Sequence, residues 1–180
     1  MTEAPIYSPG GILSLDCARK TGWCYGQIGA NRPEYGYFTL PNEGGEGARY
    51  NAFEHAIVPM FAAMQPAKLI MASHLPIPAM NNVAAMRQQL SLRAIAIKEA
   101  YIASCSVSEF SEPEVRRDIL GRRYWPKDGV KHEVLAWCRR HGWDVSTHDV
   151  GDACVLWEWH RRQMTGGQMA PGTLWADVAA

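Results

Sequence analysis

The stretch Ile12-Leu13-Ser14-Leu15-Asp16-Cys17-Ala18-Arg19-Lys20-Thr21-Gly22-Trp23 runs from a short apolar segment into a carboxylate, a basic turn and a Thr-Gly pair. Gly11–Asp16 has the length and apolar character of a strand, and it ends on an acid whose side chain can project past the sheet edge. Working outward, Thr21–Ile28 and Glu34–Leu40 are aromatic and Gly-containing and predict two more strands. Pro41–Gly47 is a Gly-rich loop without the Lys-Ser/Thr ending of a phosphate-binding loop. Apolar residues at helical spacing (Phe53, Ile57, Met60, Phe61, Met64) predict a helix over 48–64, which Pro59 is expected to kink or divide.

Lys68–Met71 reads as a central buried strand, followed by a loop holding Pro76 and Pro78, a long helix over 82–103 and a fifth strand over 104–110. Helices over 112–120 and 131–141 flank a basic loop, Gly121–Val130, and a last helix runs over 149–164. A three-strand meander followed by strand–helix alternation implies an α/β fold. Its mixed five-stranded sheet joins the meander to two parallel strands, with helices on both faces. One domain over 11–164 is expected, with a flexible segment 1–10 and a loosely docked tail 165–180 rich in Gly and Pro.

The bulk properties of the 180 residues agree with one globular domain: 47% hydrophobic, 20% charged, net charge zero. No apolar run approaches the ~18 residues of a membrane span, and Met1–Gly10 lacks the basic start and apolar core of a secretion signal. A cytoplasmic protein without membrane contact is expected. The five cysteines are scattered and form no CxxC pair, which favours free thiols over a disulfide framework or zinc site. Cys17 follows Asp16 without an activating partner in sequence. Trp137, Trp143, Trp157 and Trp159 read as packing residues of the last two helices.

Three acids are placed where a metal site could use them: Asp16 at its strand end, and Asp149 and Asp152 one turn apart at a helix start. Three gathered carboxylates repel, and magnesium, which takes hard oxygen ligands, would compensate them. The alternative is structural: Asp149 as a helix cap, Asp152 as a favourable first-turn acid, Asp16 as a turn residue.

The sequence around these acids resembles the RuvC-like Holliday junction resolvases of the RNase H-like superfamily, especially phage-type members. Ile12–Trp23 resembles their opening strand and turn, and His148-Asp149-Val150-Gly151-Asp152-Ala153 their closing motif. Pro113-Glu114-Val115-Arg116-Arg117, Gly121 and Lys131 resemble the segment between. The resemblance implies an RNase H-like fold and metal-dependent incision of four-way DNA junctions, usually by a homodimer, in a bacterial or phage-infected cell. It implies Asp16, Asp149 and Asp152 as ligands of two Mg²⁺ ions per site (Mn²⁺ as a substitute), with Lys131 near a phosphate. Lys131 alone also reads as an exposed helix lysine.

One departure stands out. The family carries a glutamate at the end of the central strand, and here Leu69-Ile70-Met71-Ala72-Ser73-His74-Leu75-Pro76 places Ala72 there. A degenerate member, a substitution made to disable catalysis, and replacement of the ligand by another residue are the three explanations. His74 is the nearest candidate in sequence, but imidazole suits softer metals than magnesium.

Between Val115 and Arg140 eight basic side chains (Arg116, Arg117, Arg122, Arg123, Lys127, Lys131, Arg139, Arg140) face three acids (Asp118, Asp128, Glu133), with Tyr124 and Trp125 interleaved. Arg116, Arg117, Arg122, Arg123, Tyr124 and Lys127 form a candidate surface for branched DNA, where cations neutralise phosphates and aromatics stack on bases. The alternative is a solvated helix pair with a Tyr-Trp core anchor. Arg87 and Arg93 are a second candidate, on a helix whose Met86, Leu90, Ile95 and Ile97 read as core or a dimer seam.

Three functions compete: a junction-resolving endonuclease; a module of the same fold that binds branched DNA without cutting it, favoured by Ala72; and an actin-like or sugar-kinase-like ATPase. The last also begins with a strand ending in Asp and a Thr-Gly turn, but 180 residues leave no room for its second lobe.

Overall fold

In the computed structural model, which describes residues 7–73, 83–126 and 129–166, strand alternation sorts the core into two layers. β1 (Ile12–Asp16) sends Leu13 and Leu15 to one face and Ile12 and Ser14 to the other, all four fully or nearly fully buried. A strand buried on both faces lies at the centre of its sheet. β1 pairs antiparallel with β2 (Lys20–Gly26), and β2 with β3 (Glu34–Thr39). On its other side β1 pairs in parallel with β4 (Lys68–Ala72), and β4 with β5 (Ser106–Phe110). The order β3-β2-β1-β4-β5 is the expected mixed sheet.

Helices α1 (Gly45–Met64) and α2 (Val83–Ile102) cover the face that carries Leu13, Leu15, Leu69 and Met71. The other face, with Ile12, Cys24 and Ile70, lies under α3 (Glu112–Leu120), α4 (Gly129–Arg140) and α5 (His148–Met164). Trp157 is fully buried there, and Trp137 and Trp143 meet edge to face at 5.4 Å, so these tryptophans pack as expected. All five cysteines are free and buried.

Several local features refine the sequence expectations or differ from them. Pro59 does not divide α1, which runs unbroken for 20 residues. Pro59 and His55, whose carbonyl loses its helical donor, both lie on the exposed side, where water can take that bond. α2 is turned so that Leu92, Ala96 and Ala100 are buried, whereas Leu90 and Ile97 remain exposed. Small residues on the inner face let the helix approach α1 and β5 closely. β5 starts two residues later than expected, because Ser104 takes a left-handed conformation (φ 54°) in the turn that ends α2. Finally, residues 7–10 contact β2 and the end of α1. Tyr7 packs edge-on against Tyr25 at 5.6 Å, and the Gly10 amide donates to the Gln65 carbonyl at 2.9 Å. Residues 1–6 and the tail from 167 onward lie outside the described residues, as does the loop with Pro76 and Pro78.

Candidate active site

Asp16 is the last residue of β1, opposite Gly22 on β2. A methyl group at Gly22 would come within 2.0 Å of the Asp149 carbonyl oxygen, so the bare glycine lets the start of α5 rest on β2 beside Asp16. Two further contacts hold α5 there. The Ser14 hydroxyl, buried in the middle of β1, donates to the Ala153 carbonyl at 2.7 Å. Thr147 caps the helix by accepting from the Val150 amide at 3.4 Å. The cap is therefore Thr147, which leaves the Asp149 carboxylate free of that duty, with Asp152 one turn further along the same face.

Leu15, Asp16, Ala72, Glu112, Val115, Arg116, Asp152, Val155 and Leu156 line one pocket with a volume of about 20 Å³, room for a water-sized guest. Burial pushes the Asp16 carboxyl well above the usual carboxylate range, and the charges of Asp152, Glu112 and Asp149 push the same way; Arg116 opposes them. Burial, followed by the Glu112 charge, raises Asp152 to about 7, against the pull of Arg116 and Lys131. Three carboxyl groups and one guanidinium line the pocket.

Among the described residues, no three His, Cys, Asp or Glu side chains stand close enough together to enclose a metal ion. The Arg116 guanidinium lies between two of the acids: its Nη2 pairs with Glu112 and stands 3.9 Å from Asp152. The donor chemistry still fits a hard cation. The pocket offers carboxylate oxygens and no thiol or imidazole.

Asp16 and Asp152 line one pocket, the Asp149 charge acts on both from outside it, and exposed Lys131 is near enough to act on Asp152. Ala72 ends β4 in the same pocket, and His74 lies outside the described residues. Arg116 points into the pocket and not out to a surface. Arg117 is tied to Asp118 at 2.8 Å. Arg122, Arg123 and Tyr124 are exposed on the loop after α3, Tyr124 to 77%, so Tyr124 is no core anchor. Arg122 lies over the Trp125 ring at 5.5 Å, and Lys127 lies outside the described residues. Arg93 is buried. It pairs with Glu109 and donates to the Ala72 carbonyl, which removes it as a surface candidate; Arg87 pairs with Glu46 at 2.7 Å.

Sequence reasoning passed over Glu112, which reads there only as the first residue of a helix. The available signal was the pairing of the last two strands. β4 and β5 are parallel with Ala72 opposite Phe110, so whatever follows β5 emerges at the same sheet edge as Asp16 and Ala72.

The sequence matches no protein-family model and no curated protein. Solved structures do match. Thermus thermophilus RuvC superposes with a TM-score of 0.66 at 13% identity, covering 87% of this chain and 97% of that one. This chain has the RuvC fold. T. thermophilus RuvC in complex with Holliday junction substrate gives a TM-score of 0.67 at 10% identity, over 88% and 97% of the two chains. The yeast mitochondrial Holliday junction resolvase Ydc2 gives 0.56 at 10% identity, over 93% and 84%.

Proposed function

We propose that this chain is a structure-selective, metal-dependent endonuclease that resolves four-way or branched DNA junctions by phosphodiester hydrolysis. The observation that carries this reading is the shared pocket of Asp16 and Asp152 at the sheet edge of a RuvC fold. Asp16, Asp149 and Asp152 would hold Mg²⁺ or Mn²⁺, two ions per site. Bound there, the metal supplies an activated water and neutralises charge on the leaving oxygen. The protein's own groups position the strand: Lys131 approaches a phosphate beside Asp152, and Arg122, Arg123 and Tyr124, with Lys127, hold the DNA arms. That a RuvC of this fold was solved with Holliday junction substrate supports branched DNA as the partner.

A homodimer belongs to the proposal, since two symmetric nicks need two sites. It is supported by the exposed stripe on α2, where Val83, Leu90 and Ile97 recur every seven residues and Tyr101 follows one turn later. No helix among the described residues is long and apolar enough to cross a membrane.

Ala72 favours a second reading, in which the same fold binds branched DNA without cutting it. Labelled four-way junction and matched linear duplex, incubated with this chain and with Ala72→Glu in magnesium and in manganese, separate the two. Preferential junction binding with metal-dependent nicking is expected. Binding without nicking by either protein would make it a binding module, and absence of junction preference would overturn both readings.

A further inference from the structure

We propose that the chain holds a second site, at the sheet edge opposite the acids, where His160 and Lys68 bind a small organic carboxylate. The parallel ladders put Ile12, Lys68 and Ser106 side by side at the starts of β1, β4 and β5. Residues paired across a ladder project from the same face, and Ile12 belongs to the core under α5. The last turns of α5 bring His160 and Met164, four residues apart and so on one side of the helix, to that row. Together with Ile28 they line a cavity of about 230 Å³. That is smaller than the ~300–1,000 Å³ of pockets that take drug-sized molecules, so its guest is small.

The polar groups of this cavity select an anion. Lys68 is half-buried and makes no ion pair among the described residues. No carboxylate among the described residues lines the cavity. His160 is only 5% exposed, and neither of its ring nitrogens has a hydrogen-bond partner among the described residues. Buried polar groups are nearly always paired, because an unpaired one keeps its whole desolvation cost. Burial, followed by the Lys68 charge, lowers the imidazole from its ordinary value, so near neutral pH the ring is uncharged and carries one N–H donor. The Ser106 hydroxyl is spent on the Ala67 carbonyl at 3.0 Å, which leaves the imidazole and the ammonium to hold a guest. A carboxylate would accept from the imidazole N–H with one oxygen and meet the Lys68 ammonium with the other. Ile12, Ile28 and Met164 would enclose its apolar body, which inorganic phosphate lacks. The competing explanation makes His160 a packing ring, tilted on Phe110 at 5.2 Å between centroids. A phenyl ring would fill that role without two orphaned nitrogens, so His160→Phe separates the two.

The test titrates the full chain with acetate, butyrate and benzoate, following the His160 ring nitrogens by long-range ¹H–¹⁵N NMR and affinity by calorimetry. Benzamide, of the same shape without the charge, and inorganic phosphate, an anion without an apolar body, are the comparisons. Benzoate is expected to shift the His160 nitrogens and to bind at least tenfold more tightly than benzamide or phosphate. His160→Phe and Lys68→Met are each expected to weaken benzoate binding at least tenfold while melting no lower than the parent. Lys20→Met, on β2, is expected to leave binding unchanged. Equal affinity for benzamide would overturn the anion assignment, and equal affinity for phosphate the organic one. Benzoate binding that survives His160→Phe, or that moves no His160 nitrogen, would overturn the site. If none of the three carboxylates shifts those nitrogens at millimolar concentration, the proposal falls. Should His160→Phe not fold, the ring shifts in the parent and the Lys68→Met titration decide alone.

Discussion

The backbone of Gly22 lies against that of Asp149, so that a single added methyl would stand 2.0 Å from the Asp149 carbonyl oxygen. Because Asp16 pairs with Gly22 across the β1–β2 ladder, this one contact sets how closely the two acids approach. Gly22→Ala must push α5 outward or bend β2, and overpacking of this kind costs about 1–3 kcal/mol or more. A lowered Tm and loss of metal-dependent nicking are expected together. Gly29→Ala, where an added methyl meets nothing within 4 Å, is expected to leave both unchanged. Melting curves and a junction-nicking assay on the two variants check this.

The Asp152 carboxyl makes stability depend on pH in an unusual direction. Its folded value of about 7 lies above the ordinary 3.8, so between those values the native state binds more protons than the unfolded chain. Stability is then greatest below about pH 4 on this account and falls as pH rises towards 7, by at most ~4 kcal/mol. Asp16, raised by burial and by its acidic neighbours, acts in the same sense. In chelator, the urea midpoint is expected to decrease from pH 5 to 7.5, and Asp152→Asn to flatten that slope. An unchanged slope in the variant would mean that Asp152 ionises as a solvated acid.

The order of strands and helices was legible because each element has a clear period and a punctuating Gly, Pro or polar turn. Ile12–Asp16 and Lys68–Ala72 differ from the sequence expectation by a residue. The placement of Asp16 at a strand end and of Asp149 and Asp152 at a helix start was legible as well. The rest depended on information that one sequence does not carry locally. Which face of α2 turns inward follows from its packing on α1 and β5, so the buried residues are Ala96 and Ala100 and not Ile97. Arg93 and Arg116 looked like surface cations until Glu109, Glu112 and Asp152 were placed beside them. Glu112 needed the β4–β5 register.

The loop after α3 exposes Arg122, Arg123 and Tyr124, with Arg122 lying over the Trp125 ring. If these cations lie on phosphates, each releases about one counterion on binding. Arg122→Ala with Arg123→Ala is expected to weaken junction binding by at least tenfold near physiological salt. The slope of log K against log salt should become shallower by about two. Tyr124→Ala is expected to weaken binding by ~1–3 kcal/mol with no change in that slope, the signature of lost stacking. Fluorescence anisotropy across a salt series distinguishes the two; an unaltered slope in the double arginine variant would remove the loop from the DNA surface.

Along α2, Leu90 and Ile97 are each 41% exposed and Tyr101 is 84% exposed, on a helix that turns Leu92, Ala96 and Ala100 into the core. Heptad spacing of the outer residues is the pattern with which one helix packs against a second copy of itself. Leu90→Glu with Ile97→Glu places two charges in that seam and touches none of the buried face. Sedimentation equilibrium is expected to show a dimer for the parent chain and a monomer for the variant, with Tm in dilute solution nearly unchanged. Junction binding by the variant should persist, whereas paired, symmetric nicking should give way to single nicks. A variant that still sediments as a dimer would place the subunit contact elsewhere on the fold.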